Sequence, residues 1–201
     1  MYSYLALGDS YTIGEQVPLT ESFPYQTVQL LRKERFWFDA PEIIAKTGWT
    51  TDELATAMSG YHFLKAYDFV SLLIGVNNQY RGRSVDEFKG EFLTLLKRAI
   101  ELSGENRDNV IVLSIPDWGL TPFAADRDIP KIASEIDLYN AACADICKAE
   151  RICFIDITAD QRKDAADPSF LAGDNLHPSG KEYAKWSVKL ADRIKEVLRA
   201  D

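Results

Sequence analysis

The sequence predicts a three-layer α/β/α sandwich built on a parallel, five-stranded sheet. Five short apolar runs, bounded by glycine, proline or polar residues, have the length and composition of buried strands. Stretches with helical periodicity alternate with these runs, and this alternation is the pattern of βαβ units. Because the crossovers of such units are right-handed, we expect helices on both faces of the sheet.

The predicted strands follow one another along the whole chain. The first begins at Tyr4 and its apolar run stops at Gly8. The third, residues 68–75, is nearly continuously apolar, as expected of a central strand that is covered on both faces. The other strands are predicted at residues 41–46, 109–115 and 152–156. In an open α/β sheet, ligands and catalytic groups collect at the carboxyl ends of such strands.

The predicted helices carry apolar residues at helical spacing. Residues 84–102 show this pattern most clearly, and Ser103-Gly104 ends it. Thr50 precedes another helix and has a carboxylate three residues later, at Glu53, which is the pattern of a capping box. Further helices are predicted over residues 23–35, 129–150 and 178–198, whereas residues 157–177 are predicted to be irregular.

Composition and charge limit the class of protein. A chain of 201 residues suffices for one domain with a full core, so residues 1–201 are predicted to form a single domain. The net charge of −8 disfavours nucleic acid and anionic membrane surfaces as partners, because both attract lysine and arginine. The sequence shows neither an apolar stretch long enough to cross a bilayer nor a leader pattern before the first strand. We therefore expect a cytoplasmic protein without membrane insertion.

The motifs of metal and cofactor sites do not occur. Cys143 and Cys147 lie four residues apart on a predicted helix and Cys153 lies in a predicted strand, which suits small buried side chains better than a disulfide framework or a zinc site. The sequence also has no phosphate-binding loop, dinucleotide fingerprint, His-Glu-x-x-His motif or Gly-x-Ser-x-Gly elbow. No metal and no cofactor are therefore expected.

Ser10 stands two residues after the glycine that ends the first predicted strand. It is therefore expected on a loop at the edge of the sheet, where it could act as a nucleophile. The alternative is that Ser10 caps a following helix, because serine is common at such junctions. This stretch alone leaves both interpretations open.

A nucleophilic serine needs a general base, and the chain has two histidines. His62 lies in an aromatic segment without a carboxylate at a useful spacing, which favours a packed or surface histidine. Asp174 and His177 lie three residues apart before Pro178, on a loop that should be tight. A carboxylate at this separation can bind imidazole Nδ1 and leave Nε2 free to accept a proton. Capping or coincidence also explains Asp-x-x-His, but Ser10 at a strand end favours the catalytic interpretation.

Two further strand ends supply groups that could stabilise an oxyanion. Gly48 follows the second predicted strand, and no side chain obstructs its backbone N–H. Asn77 follows the third predicted strand and offers a side-chain amide. Asn77 and Asn78 also suit an ordinary turn, in which asparagine is favoured.

Four separated blocks make the sequence resemble the SGNH, or GDSL-type, hydrolases. In the family's order they are Gly8-Asp9-Ser10-Tyr11, Gly48 within Lys46-Thr47-Gly48-Trp49-Thr50, Gly75-Val76-Asn77-Asn78 and Asp174-Asn175-Leu176-His177. The resemblance implies that Ser10 is the nucleophile, His177 the base and Asp174 its orienting partner. It also implies an oxyanion hole formed by the N–H groups of Ser10 and Gly48 and the Asn77 side chain, and a sheet of flavodoxin-like strand order.

The sequence departs from the family's pattern at Asn78, where the family usually has aspartate. This position is not the oxyanion donor. We therefore expect altered local hydrogen bonding rather than loss of catalysis.

The expected function is cleavage of small-molecule carboxylic esters by a serine hydrolase through an acyl-enzyme. An acyltransferase would use the same residues, and a lysophospholipase or thioesterase would share the fold. A flavodoxin-like binding module with a degenerate site is the alternative outside enzymes, but the complete residue set argues against it. The sequence does not predict the oligomeric state.

Short acyl groups, from acetyl to about butyryl, are the expected substrates. A long acyl chain needs a deep apolar groove or a lid, and most connections here are short or already helical. Residues 157–177 are too charged to line a lipid groove. Trp49 and residues 118–123 are predicted to line the cleft, and Trp118, Leu120 and Phe123 could form an apolar wall. Packing in the core or at the rim of the fold explains these aromatic residues equally well.

Overall fold

Five parallel strands form one sheet in the computed structural model, which describes residues 1–200. The strands are β1 (Tyr4–Asp9), β2 (Glu42–Lys46), β3 (Phe69–Leu73), β4 (Val110–Leu113) and β5 (Cys153–Ile155). Their order across the sheet is β2-β1-β3-β4-β5, with every neighbouring pair parallel. Helices lie on both sides of this sheet, which confirms the predicted three-layer α/β/α architecture.

Helices follow the strands in alternation, and several short 3₁₀ turns separate them. The helices are α1 (Ser10–Ile13), α2 (Phe23–Lys33), α3 (Thr51–Ser59), α4 (Val76–Tyr80), α5 (Val85–Leu102), α6 (Ile129–Glu150), α7 (Thr158–Asp164) and α8 (Gly180–Ala200). The 3₁₀ turns are Leu19–Glu21, Arg107–Asn109, Trp118–Leu120, Pro122–Ala124 and Pro168–Phe170. No helix within residues 1–200 is both long enough and apolar enough to cross a lipid bilayer.

The core forms because each element turns its apolar positions towards the sheet. Strand β1 is buried at every position and lies between β2 and β3. Helices α2 and α8 pack on each other, and α5 packs on α3 and α6. The large side chains Phe23, Tyr183 and Trp186 are fully buried at the contact between α2 and α8. The result is that the carboxyl ends of β1, β2 and β3 are held side by side.

Residues 157–177 are more ordered than predicted, because this segment contains α7 and the 3₁₀ turn at Pro168–Phe170. Its charged side chains form ion pairs. Asp160 pairs with Lys163 at 2.7 Å within α7, and Arg162 pairs with the buried Asp117 at 2.9 Å. The prediction of an irregular stretch was wrong because these charges attach a helix to the fold.

Candidate active site

Strand β1 runs directly into the four-residue helix α1, and Ser10 is the first residue of that helix. Glycine is required at position 8, because a Cβ there would overlap the Thr12 hydroxyl and the Leu73 carbonyl. This close approach allows α1 to fold back at the end of β1. The prediction that Ser10 lies on a loop was therefore wrong, although its place at the strand end is as expected.

Asp9, rather than Ser10, is the N-cap of α1. Its Oδ1 accepts the backbone N–H of Tyr11 at 3.0 Å, while its Oδ2 has no hydrogen-bond partner among the described residues. Burial raises the pKa of the Asp9 carboxyl to about 7. The alternative that Ser10 caps this helix was therefore wrong, and the Ser10 hydroxyl is directed to another partner.

That partner is His177, whose Nε2 lies 2.9 Å from Ser10 Oγ. On the other side of the ring, His177 Nδ1 lies 2.6 Å from Asp174 Oδ2. Both distances are those of hydrogen bonds. When Nδ1–H donates to the carboxylate, Nε2 carries the lone pair that can accept the Ser10 proton. The structure thus brings together three residues that the sequence separates by up to 167 positions.

The loop that carries Asp174 and His177 is stabilised by the same carboxylate. Asp174 Oδ1 accepts the backbone N–H groups of Leu176 at 3.1 Å and of His177 at 3.0 Å. Asn175 has a positive φ of 59°, which makes this turn tight. Burial raises the pKa of Asp174, but the hydrogen bonds from His177 and Leu176 outweigh it, so the pKa lies below its usual value.

Gly48 lies in a tight turn between β2 and α3. The Trp49 N–H donates to the Lys46 carbonyl at 3.2 Å, and Gly48 has a φ of +81°, which together define a type II turn. A Cβ at Gly48 would meet only the Arg81 side chain, at 3.8 Å. Backbone conformation rather than lack of space therefore requires glycine at this position. Gly48 lines the same cleft as Ser10 and His177.

Asn77 is the second residue of α4 and lines this cleft as well. Its Nδ2 donates to the Trp49 carbonyl at 3.0 Å, which fixes the plane of the amide. An amide nitrogen has two hydrogens, so the second remains available to a bound molecule. The residues that the sequence singled out at three strand ends therefore lie around one cleft.

Asn78 is fully buried beside α3. Its Oδ1 accepts the Thr51 N–H at 3.1 Å, and its Nδ2 donates to Thr51 Oγ1 at 2.6 Å and lies 3.5 Å from Glu91 Oε2. A carboxylate could not donate these last two hydrogen bonds. Asn78 thus forms local contacts that aspartate could not form.

The far side of the cleft is an aromatic wall, which consists of Tyr80, Trp118 and Phe123. The Trp118 ring centroid lies 5.2 Å from that of Tyr80 and 6.1 Å from that of Phe123. Trp118 is only 5% exposed, whereas Tyr80 and Phe123 are 47% and 46% exposed. The cleft encloses about 190 Å³ and is open to solvent. The aromatic wall therefore combines one fixed ring with two accessible ones.

Gln79 holds the fixed ring in place. Its Oε1 accepts the Trp118 Nε1–H at 2.7 Å, and its Nε2 donates to Glu135 Oε2 at 2.8 Å. Gln79 is buried, and so is the indole nitrogen that it contacts. Its hydrogen bond to Glu135 joins α4 to α6, and its hydrogen bond to Trp118 joins α4 to the aromatic wall.

The predicted lining was partly wrong. Trp118 and Phe123 lie at the cleft as expected, but Trp49 packs against the core and Leu120 lines a separate groove. Tyr80, which the sequence analysis missed, does line the cleft. Its position three residues after Asn77, on the same face of a helix, was the available signal.

The other histidine lies outside this arrangement. His62 is exposed and follows the end of α3. Of the two alternatives left open by the sequence, a packed or a surface histidine, the structure shows the second.

The strand order and the cleft at the ends of β1, β2 and β3 can be compared with known proteins. Residues 6–185 match the model of the GDSL-like lipase/acylhydrolase family. The chain belongs to this family. The protein is therefore a hydrolase that acts on ester bonds, and the resemblance seen in its sequence is confirmed.

Solved structures share the fold of this chain over almost its whole length. A lipase/acylhydrolase from Enterococcus faecalis has a TM-score of 0.78 at 18% identity, covering 98% of this chain and 96% of that one. An acetylxylan esterase from Geobacillus stearothermophilus has a TM-score of 0.75 at 19% identity, covering 96% and 94%. A psychrotrophic esterase from a Pseudoalteromonas species has a TM-score of 0.71 at 15% identity, covering 99% and 100%. A search of curated proteins found no match.

Proposed function

We propose that the protein is a serine esterase in which Ser10, His177 and Asp174 act as a catalytic triad. The observation that carries this proposal is the pair of consecutive hydrogen bonds, 2.9 Å from Ser10 Oγ to His177 Nε2 and 2.6 Å from His177 Nδ1 to Asp174. This geometry suits a nucleophile, its general base and the group that orients the base.

The reaction proceeds in two halves. His177 Nε2 takes the Ser10 proton while Ser10 Oγ bonds to the ester carbonyl carbon, and the carbonyl oxygen becomes an oxyanion. The tetrahedral intermediate then expels the alcohol, which leaves with the proton from His177. Water attacks the acyl-enzyme by the same route, with His177 again as the base, and releases the carboxylic acid and free Ser10.

Three donors around the cleft suit the oxyanion. The Ser10 N–H lies in the first turn of α1, where a backbone N–H has no helical acceptor. The Gly48 N–H belongs to the middle peptide of the type II turn, and the Asn77 amide keeps one hydrogen free. Donors fixed in place before the reaction stabilise the charge that develops in the transition state without further reorganisation.

The preferred ester is one with a short, uncharged acyl group. The described residues that line the cleft include no lysine, arginine, aspartate or glutamate. The fixed Trp118 ring and the cleft volume of about 190 Å³ limit the depth available to an acyl chain. The charged side chains of α7 do not line the cleft, and Asp160 and Arg162 form ion pairs instead.

Covalent labelling tests the nucleophile. A fluorophosphonate should add one adduct to the protein, and peptide mapping should place it on Ser10. Ser10→Ala should lose both the adduct and the hydrolysis of p-nitrophenyl acetate, while Ser22→Ala, a buried serine outside the cleft, should retain them. An adduct on another serine, or turnover that survives in Ser10→Ala, would contradict the proposal. Turnover that requires an alcohol acceptor would instead identify an acyltransferase.

A further inference from the structure

Arg81 follows α4 directly, and its side chain reaches the turn that contains Gly48. Its Nη2 donates to the Gly48 carbonyl at 2.7 Å, and its Nη1 donates to Glu53 Oε1 at 3.3 Å. Glu53 in turn accepts the Thr50 N–H at 2.9 Å at the start of α3. The guanidinium is therefore held in place by one carboxylate while it binds the turn.

Two successive carbonyls of this turn are bound from the same short stretch of chain. Gly48 O accepts from Arg81, and Trp49 O accepts from Asn77 Nδ2 at 3.0 Å. Both donors lie within one helical turn of each other on α4 and its C-cap. These bonds fix the separation between the turn and α4, and hence between the Gly48 N–H and the Asn77 amide.

The turn needs this support because its central residue is glycine. Glycine populates positive and negative φ about equally, and it has no side chain that could pack against the protein. The atom nearest to an added Cβ at Gly48 is Arg81 Nη2 itself. A hydrogen bond from a charged donor is roughly twice as strong as one between neutral groups. Arg81 thus supplies a restraint that Gly48 cannot supply for itself.

We propose that Arg81 is a positioning residue of the oxyanion hole, an inference that rests on the proposed function. Arg81 does not line the cleft, so it acts through Gly48 rather than on the substrate. Loss of one oxyanion donor lowers kcat by about 10²–10³, and displacement of a donor by about 1 Å has an effect of about 10². Arg81→Ala should therefore lower kcat by about 10- to 100-fold and leave KM nearly unchanged.

Arg83 provides a matched control on the same segment. It donates to Asp52 Oδ1 at 2.6 Å and has no contact with Gly48. Arg83→Ala removes the same charge two residues away, so its kcat and KM should equal those of the wild type. Arg81→Lys keeps a donor and should lose less activity than Arg81→Ala. Because the Arg81 side chain is 43% exposed, Arg81→Ala and Arg81→Lys should both fold, which circular dichroism checks.

Chemical rescue distinguishes positioning from a general structural effect. Guanidinium chloride should raise kcat of Arg81→Ala but not of Asn77→Ala. It is added below its denaturing range, and sodium chloride at the same ionic strength is the control. The role of Arg81 would be overturned if Arg81→Ala kept the wild-type kcat, if only its KM changed, or if Arg83→Ala lost as much activity. It would also be overturned if guanidinium did not raise kcat of Arg81→Ala selectively. If the wild-type protein hydrolysed no ester, or if the fluorophosphonate labelled another serine, the proposed function would be overturned instead.

Discussion

The two sides of the cleft are built from different kinds of structure. On one side, Ser10, Gly48 and Asn77 follow β1, β2 and β3 closely, at the edge of a buried sheet. On the other side, the aromatic wall comes from the end of α4 and from 3₁₀ turns, and its Tyr80 and Phe123 rings are about half exposed. Each residue of the first side is joined directly or by a short connection to a strand of the sheet, with Arg81 and Asn77 binding the turn at Gly48, whereas the second side depends on contacts between side chains.

This difference separates reaction rate from substrate range. A substitution on the strand-end side displaces the groups that are proposed to act on the reacting atoms, so it should change kcat. A substitution in the aromatic wall changes the surface offered to the rest of the ester, so it should change the order in which substrates are preferred. Residues on loops commonly vary more among related proteins than the strands and helices that position them, which suits a change of substrate range on an unchanged scaffold.

The largest effect is expected on the strand-end side, at the triad. Ser10→Ala and His177→Ala should each lower kcat by about 10³-fold or more, because the triad acts as a unit. Asp174→Asn should have a milder or comparable effect, since its role is to orient the ring. Steady-state hydrolysis of a p-nitrophenyl ester measures all three. His62→Ala is the control and should keep wild-type kcat; a comparable loss there would show that the wrong histidine had been assigned.

The next largest effect is expected at the oxyanion donor. Asn77→Ala should lower kcat by about 10²–10³ with little change in KM, because the proposed role of the amide is to bind the oxyanion of the transition state. The same ester and the same assay measure both constants. An increase in KM at unchanged kcat would mean that Asn77 binds the substrate, and the comparison between the two sides would fail at that point.

A smaller and qualitatively different effect is expected in the aromatic wall. Wild-type kcat/KM should fall along p-nitrophenyl esters from acetate to palmitate. Phe123→Ala should lower kcat/KM for the short esters by roughly tenfold and shift the preference to longer chains, because it removes an accessible ring from the wall. Leu138→Ala removes an exposed apolar side chain outside the cleft and is the control. Wild-type rates that climb beyond octanoate would refute the short-chain preference.

The smallest effect concerns stability on the strand-end side and depends on pH. The pKa of Asp9 is about 7 in the folded protein and near 3.8 when exposed, so the folded state binds more protons between these values. The stability that the folded state gains by binding this proton is therefore lost as the pH rises from about 4 to about 7. Asp9→Asn keeps an oxygen for the Tyr11 N–H and has no proton to lose.

Thermal unfolding over this pH range tests the effect. The melting temperature of Asp9→Asn should rise relative to that of the wild type as the pH increases. A difference that stays constant with pH would show that the Asp9 carboxyl does not titrate there.

The sheet and the strand ends could be predicted because burial leaves a local signature. The nearly continuously apolar run at residues 68–75 contains β3 (Phe69–Leu73), and α6 has the predicted bounds of 129 and 150. Helix α7 was missed because its polar sequence has no apolar face to recognise. It is stabilised by contacts such as Arg162 with Asp117, which are 45 residues apart and leave no periodic pattern.

The candidate site was predicted unevenly for a related reason. Ser10, Gly48, Asn77, Asp174 and His177 each occur in a short block that can be recognised in the sequence, and all five line the cleft or contact a residue that does. The aromatic wall has no such block. Gln79 and Trp118 meet across 39 positions, and nothing local distinguishes Trp118 from Trp49, which packs against the core.

The distance along the chain between Ser10 and His177 also affects the order in which the protein is made. At about 5–20 residues per second, the 167 positions between them take roughly 10–30 s to translate. All five strands precede residue 174, so a nascent chain can hold the complete sheet and still lack the base for Ser10. With the proposed triad, ester turnover should begin only after His177 has been translated, and a chain that terminates earlier should carry Ser10 without its proposed base.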